Sequence, residues 1–452
     1  MKKIYFFTLL LCNFFTNAQS LSYSDIAVLF STNDNLGTAR YMGLSGAFGA
    51  LGGDMTAVDI NPAGLAVYKN SEFSTSFGWR DTKNETTFYG NTLYNNDDYF
   101  RFLQIGGVFA TKIYGNSDFK KMSFGFNYNV IKDFNNNYAV QGNSGVPDFV
   151  DDPYLNYDGN DFNNIYYDNV DNQLFLNYTS GINDRFSFSF ATQYKDILYF
   201  GGSLAFQHIN FYQNTTFEEA NNDGAGNTLD ARLRQYLSVY GNGFNFGLGV
   251  IVKPVQNLRI GVSYQSPIWY NLAERFQENL DISVSNDPDL YTEYNDPNYF
   301  DYQLKTPAKV TGSIAYVFGK LGLISLDYIY QDYTNTRLQP SSVFIDENQD
   351  LSNGLRSTSS LRVGTEWRVK IVSIRGGYRF VQSPYKNAAS AYDLNGYSMG
   401  LGFKITRFVN LDFAYDNSNH SEQYGFLNID GVEPAYIDIN SNRFTSSLVL
   451  VF

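Results

Sequence analysis

An alternation of apolar residues with polar or small residues, at a period of two, runs through most of the chain beyond residue 70. It is clearest in segments 185–191, 243–250, 398–405 and 409–415, where Phe, Leu, Val, Met, Ile or Tyr takes every second position. Successive side chains of a strand point to opposite faces, so the pattern predicts β-strands with one apolar face. The chain is therefore predicted to be all-β.

The length of the strands and the nature of their polar face distinguish a soluble sandwich from a membrane barrel. Soluble strands are usually ~5–6 residues long, whereas these segments approach the ~9–11 residues of a membrane-crossing strand. Charged residues make up only 17% of the chain, against roughly 25% in soluble proteins. The apolar face is therefore predicted to contact lipid, in a transmembrane β-barrel.

Fourteen strand candidates follow from the alternation, and an even number is typical of bacterial outer-membrane barrels. They are 71–82, 98–111, 120–140, 172–181, 185–200, 234–253, 257–270, 305–319, 321–336, 357–369, 371–382, 395–405, 408–416 and 442–452. The predicted short connections include 182–184, 254–256, 319–320 and 406–407, and the long ones 141–171, 201–233, 271–304 and 417–441. This alternation of short and long connections predicts a 14-stranded antiparallel barrel with its short turns in the periplasm.

Residues 1–18 have the features of a secretory signal peptide. Two lysines precede an apolar run, and Ala18 supplies a small residue at the predicted cleavage site. The only cysteine, Cys12, lies in this segment; a lipoprotein would be acylated there, but the bulky Leu11 before it fits a lipidation site poorly. A mature chain beginning at Gln19 would have no thiol, which excludes disulfides, cysteine nucleophiles and thiolate metal sites.

Residues 19–70 are predicted to form a hatch inside a barrel of residues 71–452. Eight strands give a barrel that its own side chains fill, and 16 to 18 strands leave an aqueous channel, so a lumen of 14 strands needs a plug. The segment 19–70 shows no strand alternation and contains the Gly- and Ala-rich run 43–53. Small residues allow the close backbone packing that such a confined space requires.

The end of this segment carries the motif on which a family resemblance rests. Asn61, Pro62, Ala63 and Gly64 follow the Gly-rich run and precede the first predicted strand. Placed there, the motif resembles the asparagine-proline-alanine hallmark of the FadL/TodX family of outer-membrane transporters for long-chain fatty acids and hydrocarbons. The segment 261–267 and the number of strands support the resemblance.

The resemblance implies passive transport of hydrophobic compounds through a plugged barrel in the cell outer membrane. In the family, a kink in the third strand opens the wall, and the cargo leaves sideways into the bilayer. Here Lys132 and Asn136 interrupt the apolar face of strand 120–140, which would be the place for such a kink. Alternatively, this strand simply projects past the membrane. A second function on the same fold is a protein-interaction barrel that serves a secretion system, similar to PorV.

Four arginines are candidates for binding the head group of a cargo molecule. The alternation points Arg259, Arg362, Arg375 and Arg379 into the lumen, where a fatty-acid carboxylate would meet them. Asp327, Glu366 and Asp412 are predicted to point inward as well. Because unpaired interior charges are costly, arginine–carboxylate pairs that brace the barrel are the alternative.

Aromatic residues in one predicted outer loop are candidates for capturing an apolar molecule. They are Tyr154, Tyr157, Phe162, Tyr166 and Tyr167. Alternatively, they form an aromatic girdle or pack the loops together. The same loop, 141–171, has seven aspartates but lacks the ligand spacing of a dedicated calcium loop, so a solvated acidic loop is the simpler interpretation. No metal or cofactor is expected.

Charge and histidine content disfavour two other classes of function. A formal net charge of -13 would repel nucleic acid. The only histidines, His208 and His420, fall in or near predicted outer loops. His420 is adjacent to Ser421, but neighbours on a chain seldom face each other in a productive geometry, so no enzyme is expected. The expected partners are hydrophobic small molecules, outer-membrane lipid and lipopolysaccharide, and the barrel is expected to be monomeric.

Overall fold

A single antiparallel sheet closes on itself. The computed structural model describes residues 21–150, 165–285, 287–427 and 429–452, and within them nineteen strand segments share one sheet. The last strand pairs with the first from Glu72↔Val451 to Thr87↔Tyr436, which closes the barrel. The strands are β1 Glu72–Phe88, β2 Asn91–Lys112, β3 Phe119–Asp133, β4 Asn136–Gly142, β5 Asn169–Tyr194, β6 Leu198–Asn222, β7 Thr228–Val255, β8 Leu258–Gln265, β9 Trp269–Val284, β10 Asp287–Tyr294, β11 Asn298–Lys305, β12 Lys309–Val317, β13 Gly322–Asp332, β14 Arg337–Gln339, β15 Ser357–Val369, β16 Val372–Val381, β17 Leu394–Lys404, β18 Val409–Tyr424 and β19 Ala435–Val451.

The strands make fourteen crossings of the barrel wall. Four crossings consist of two segments each, namely β3 with β4, β8 with β9, β11 with β12 and β13 with β14, and β10 pairs only with β9 in a loop. The predicted fold, an all-β barrel of 14 antiparallel strands, is confirmed.

Two errors in the predicted strands cancel in the count. The candidates 172–181 and 185–200 are one continuous strand, β5, so the predicted short connection 182–184 is wrong and the true turn is 195–197. The predicted long loop 201–233 is also wrong, because most of it is strand β6, which runs directly into the hairpin with β7.

Polar residues at positions that belong to strands explain both errors. The predicted connection 182–184 contains Asn183 and adjoins Arg185, but both are buried inside the barrel, where Asn183 Nδ2 donates to Tyr270 Oη at 2.9 Å and Arg185 lies 3.2 Å from Asp59. The second half of β6, residues 207–222, has polar residues on both faces. This half extends beyond the apolar band of the wall, so its outer face no longer has to be apolar.

The outward faces of the strands carry a band of exposed apolar side chains. Members of this band are Phe188 on β5, Leu204 on β6, Leu248 on β7, Val262 on β8 and Ile314 on β12. A continuous apolar band is what a lipid-facing wall requires. No helix in the described ranges is long and apolar enough to cross a membrane.

The connections differ in length between the two ends of the barrel. At one end they are the turns 113–118, 195–197, 256–257, 318–321, 370–371 and 405–408. The other end, called here the long-loop end, has the connections 143–168 and 340–356, the second of which contains helix α3, Ile345–Gly354.

The described part of the N-terminus, residues 21–70, lies inside the barrel and is called here the N-terminal segment. It contains helix α1 (Tyr23–Ser31), helix α2 (Ala39–Met42) and two 3₁₀ helices, Thr56–Asp59 and Pro62–Val67. Nearly all of its residues between 26 and 68 are buried. The predicted signal peptide, residues 1–18, lies outside the described residues.

Candidate functional site

The N-terminal segment packs against glycines on the inner face of the wall. A side chain at Gly249 would lie 1.9 Å from Asn61 Oδ1, and one at Gly261 would lie 2.6 Å from the carbonyl oxygen of Gly49. Further wall glycines that face the segment this closely are Gly125, Gly201, Gly364, Gly377 and Gly400. Only glycine lets the two backbones come this near to each other. The Gly-rich lumen face of the strands is therefore the docking surface of the segment.

Asn61 joins two turns of the segment to the wall. Its Oδ1 accepts a hydrogen bond from the backbone N of Ala63 at 3.1 Å and so caps the 3₁₀ helix that follows. Its Nδ2 donates to the carbonyl oxygens of Gly49, at 2.7 Å, and Val250, at 3.3 Å. Asn61 thus joins the N-terminal segment to the wall, and its role in seating a hatch stays a prediction.

The other three residues of the motif are suited to the close packing of the N-terminal segment around Asn61. Pro62 takes the first helical position, where its missing N–H costs nothing. Gly64 faces Gly52 so closely that a side chain on Gly64 would lie 2.8 Å from Gly52 Cα. Ala63 is buried. Each residue of the motif thus occupies a space that a larger side chain would not fit.

Asp54 fixes the fold of the segment itself. Its carboxylate accepts hydrogen bonds from Thr38 Oγ1 at 2.7 Å and from the backbone N of Thr56 at 3.0 Å, which ties the start of α2 to the first 3₁₀ helix. Burial raises the pKa of this carboxyl above its ordinary value, while the nearby Arg40 acts in the opposite direction. The segment therefore has polar anchors of its own.

Two of the four candidate arginines hold the N-terminal segment. Arg259 donates to the carbonyl oxygen of Leu51, and Arg362 donates to Tyr41 Oη at 3.0 Å. Neither arginine lies within 4 Å of a carboxylate in the described ranges of the chain. Asp327 adds an anchor of the opposite sign, because it accepts from the backbone N atoms of Phe48 and Gly49, both at 2.9 Å.

The other two candidate arginines are in buried ion pairs. Arg375 lies 2.8 Å from Glu366 and 2.5 Å from Asp412, and Arg379 binds Asp416 through both of its terminal nitrogens. Glu366 also accepts from Arg40 of the N-terminal segment at 2.8 Å. These contacts match the bracing alternative, and a head-group role for the four arginines stays a prediction.

An apolar chamber occupies the lumen towards the long-loop end, and α1 fills it. Ile26, Ala27 and Phe30 of α1 are fully buried there. The chamber is lined by side chains of β6, β7, β9 and β11 and by residues beside α3, namely Ile209, Phe211, Leu237, Val239, Tyr270, Leu272, Tyr302, Leu304, Phe344, Leu351 and Leu355. This is the part of the lumen whose chemistry suits a hydrophobic molecule.

The barrel wall is interrupted at the third crossing. Strand β2 pairs with β3 only over residues 104–112, and its first half, 91–103, pairs with β1 alone. The strand breaks at Phe134 and Asn135, and β4 beyond the break pairs with β5. No ladder joins β4 to β1 or β2 among the described residues. We call this interruption the seam.

Side chains of β1 hold β4 on the inner side of the wall. Arg80 Nη2, Asn84 Nδ2 and Thr86 Oγ1 donate to the carbonyl oxygens of residues 135, 137 and 139, at 2.5, 2.9 and 2.6 Å. Asn95 on β2 accepts from the backbone N of Ala139 at 3.0 Å. The seam is therefore closed by side chains, whereas the pairs on either side of it, β1 with β19 and β4 with β5, are joined by backbone ladders.

The N-terminal segment touches the seam. Asp34 lies 3.3 Å from Lys132, its backbone N donates to the carbonyl oxygen of Ile131 at 2.8 Å, and its carboxylate accepts from the backbone N of Asp133. Phe30 of α1 packs on Phe134, with 5.5 Å between the ring centroids. The break lies within the span that Lys132 and Asn136 had indicated for a kink.

The five predicted capture residues differ in whether they are described and in how exposed they are. Tyr154, Tyr157 and Phe162 lie outside the described residues. Tyr166 is exposed, whereas Tyr167 is fully buried in a cluster with side chains of β7 and β9. For Tyr167 this matches the alternative of packing the loops together.

The two histidines do not form a catalytic pair with a serine. His208 is on the outer face of β6, and its Nδ1 lies 3.9 Å from Asp184. His420 lies 3.1 Å from Glu422, and the hydroxyl of the neighbouring Ser421 donates to Asp438 instead. These contacts give no nucleophile beside a base.

Sequence reasoning missed the residues that close the seam and the helix that fills the chamber. Arg80, Asn84 and Thr86 are ordinary lumen-facing polar residues in the alternation of β1, and nothing in that pattern shows that a broken strand lies against them. Helix α1 has a recognisable signal, because Ser22 accepts from the backbone N of Asp25 as an N-cap.

The barrel is similar in fold to solved transporters, although no protein-family model and no curated protein matches the sequence. A crystal structure of a FadL homologue from Pseudomonas aeruginosa matches with 14% identity over 93% of this chain and 99% of that chain, at a TM-score of 0.61. The toluene transporter TodX of P. putida matches with 13% identity over 93% and 99%, at 0.59, and the toluene transporter TbuX of Ralstonia pickettii with 17% identity over 91% and 98%, at 0.52. The resemblance that the motif indicated is thus confirmed in the fold.

Proposed function

We propose that this protein is a passive outer-membrane transporter of hydrophobic compounds, such as long-chain fatty acids or hydrocarbons, and that the cargo leaves sideways through the seam. The position of Phe134 carries the proposal: it lies at the break in the third crossing and packs on Phe30 in the apolar chamber. The chamber thus borders the seam. The solved transporters of similar fold, among them those for toluene, support the same reading.

The route follows from what fills the lumen. A hydrophobic molecule entering at the long-loop end gains roughly 25 cal/mol per Å² of apolar surface that it buries, and in the chamber it would replace the side chains of α1. Below the chamber, the N-terminal segment is packed against the wall glycines and leaves no straight path. The seam beside Phe134 is then the shortest way out.

Arg362 is the arginine best placed for a cargo carboxylate in this proposal. Its described contacts are to uncharged oxygens of the N-terminal segment, so a carboxylate could bind it without breaking an ion pair. Arg259 also contacts an uncharged oxygen, but it lies two residues from the turn 256–257, at the short-turn end and off the proposed route. Arg375 and Arg379 are held by Glu366, Asp412 and Asp416 and are structural braces in the proposal. The protein would act as a monomer in contact with lipid and lipopolysaccharide.

A disulfide across the seam tests lateral release. The double variant Asn95→Cys with Ala139→Cys places thiols where a side chain of β2 already touches the backbone of β4, and the oxidising periplasm would join them. Because β4 could then no longer move away from β2, uptake of a labelled long-chain fatty acid in a complemented deletion strain is expected to fall to the level of the empty vector and to recover on reduction.

The matched control is a disulfide in a closed part of the wall. Thr82 and Ser441 face each other on β1 and β19, with 3.2 Å between their hydroxyl oxygens, so Thr82→Cys with Ser441→Cys should leave uptake unchanged. Normal uptake through the oxidised seam variant would refute lateral release. Loss of protein secretion in the deletion strain, with fatty-acid uptake intact, would favour the secretion function instead.

A pair of glycine substitutions tests the N-terminal segment as a hatch. Gly249→Ala places a methyl group 1.9 Å from Asn61 Oδ1 and should dislodge the segment, whereas no atom lies within 4 Å of the methyl group in Gly312→Ala. We expect small hydrophilic antibiotics to enter cells with Gly249→Ala faster than cells with Gly312→Ala. Equal entry would contradict the hatch assignment.

A further inference from the structure

A polar recess lies on the outer face of the barrel, outside the transport route. It has a volume of about 700 Å³. Its floor is a row of five polar residues that are neighbours across adjacent strands: His208, Asn242, Asn271, Gln303 and Gln339. All five side chains are exposed on the outer side. A wall that only had to face lipid would carry apolar residues along such a row.

The recess lies at the level of the membrane surface. Two positions further along each strand towards the short-turn end lie Phe206, Phe244 and Trp269. They are neighbours across β6, β7 and β9 and belong to the exposed apolar band. Strands that rise ~3.3 Å per residue at a tilt of ~45° gain about 2.3 Å of height per residue. Asn242, thirteen residues from Val255 at the end of β7, is then about 30 Å above the short-turn end. An apolar band of ~25 Å ends just below it.

The lining of the recess is suited to a neutral polyhydroxylated group. Asn271 Oδ1 accepts from Gln303 Nε2 at 3.0 Å, and within the described ranges the side chains of Asn242 and Gln339 make no hydrogen bond to other residues, so their amides are free to donate and accept. Tyr240 adds an exposed aromatic ring beside these amides. Sugars present hydroxyl groups and an apolar ring face, which amides and an aromatic ring bind together.

The charges of the lining disfavour a phosphate. No lysine or arginine lines the recess, and Asp301 contributes a carboxylate. A phosphate group would be repelled by this carboxylate and would find no guanidinium or ammonium group to pair with. His208, the one residue of the described lining that can carry a positive charge, already has a carboxylate beside it, that of Asp184 at 3.9 Å.

We propose that this recess binds the uncharged sugar of a glycolipid in the outer leaflet. The acyl chains would run down over Phe206, Phe244 and Trp269, which continue the recess into the apolar band. A free oligosaccharide has the same sugar chemistry but would gain nothing from this apolar row. The recess is thus a lipid site distinct from the lumen and independent of the cargo.

Retention of defined lipids by the purified full chain tests the proposal. The probes are a diacyl lipid with one galactose as its head group and phosphatidylglycerol with the same acyl chains, both in nanodiscs, with bound lipid counted by native mass spectrometry. We expect the galactolipid to be retained at least about tenfold more strongly than phosphatidylglycerol. The double variant Asn271→Leu with Gln303→Leu should abolish this preference, because it removes several hydrogen bonds.

The control is an outward amide elsewhere on the wall. Asn96 on β2 is exposed and does not line the recess, so Asn96→Leu should keep the preference, and heat-dependent gel mobility checks that each variant is folded. Equal retention of the two lipids, or an equal loss in the control variant, would overturn the proposal. Binding of free lactose as strongly as the galactolipid would also overturn it, because it would show that the lipid chains contribute nothing.

Discussion

The wall from β15 to β18 and the wall at the seam are built in opposite ways. Strands β15 to β18 are joined by uninterrupted backbone ladders, and their lumen faces are tied by Arg375, Arg379 and their carboxylate partners. At the seam, the ladder between β2 and the third crossing stops at Gln104, and β1 holds β4 only through side chains.

Because of this difference, one part of the wall is expected to be stable and another part to be able to move. Backbone ladders and buried ion pairs cannot open without leaving buried polar groups or charges unpaired, which is costly. Hydrogen bonds made by four side chains, Arg80, Asn84, Thr86 and Asn95, can be exchanged for water one at a time. The braced wall therefore resists opening, and the seam is the part that can open while the barrel stays closed elsewhere.

The largest expected effect is on the braced wall. Glu366→Ala leaves Arg375 and Arg40 without their shared buried carboxylate, and breaking a buried ion pair in this way costs about 3–5 kcal/mol. Urea unfolding in lipid vesicles, followed by tryptophan fluorescence, measures the loss. Glu218→Ala, which removes a surface partner of Arg232, is the matched control and should change the unfolding free energy little. A loss no larger than that of the control would show that the braces do not stabilise the wall.

A smaller effect is expected at the seam. Arg80→Ala removes a hydrogen bond to the carbonyl oxygen of Asn135 and an ion pair with Asp97 at 2.7 Å. Hydrogen bonds to charged groups contribute about 1.5–3 kcal/mol, so amides of β4 should exchange with deuterium about 10- to 150-fold faster. The unfolding free energy of the whole barrel should change less than in Glu366→Ala. Unchanged exchange in β4 would mean that side chains of β1 do not hold the seam.

The smallest effect comes from one neutral hydrogen bond in the same row. Thr86→Val keeps the shape of the side chain but removes the donor to the carbonyl oxygen of Ala139, a loss of about 1 kcal/mol. Exchange at the far end of β4 should become about fivefold faster. The control is Thr82→Val, because the hydroxyl of Thr82 bonds to Ser441 on β19 and not to β4; exchange in β4 should not change. Equal effects of the two variants would show that the side chains at the seam do not hold β4 in a special way.

The alternation of residues was enough to predict the barrel but not the exact strands. Period two identifies a strand wherever its two faces meet different surroundings, which holds within the apolar band. It fails in β5, where Asn183 and Arg185 find polar partners inside the lumen in Tyr270 and Asp59, and in residues 207–222 of β6, beyond the band. The number fourteen was right because one strand was divided and another was missed.

The candidate site could be predicted only as far as single residues carry a signal. The inward direction of Arg375 and Asp412 follows from the alternation of each strand, but their pairing depends on the register between β16 and β18, which one sequence does not show. Asn61 was recognised through its motif. Its contact with Gly249 depends on which strand passes the N-terminal segment, and that is a property of the closed barrel.

The position of β4 on the inner side of β1 also affects the circumference of the barrel. Where every strand is laddered, neighbours stay about 4.8 Å apart and the circumference is fixed by their number. At the seam, β4 can slide along the inner side of β1 and β2 without breaking any ladder. In the proposed function, this freedom lets the long-loop half of the barrel widen while a bulky cargo molecule passes and narrow again afterwards.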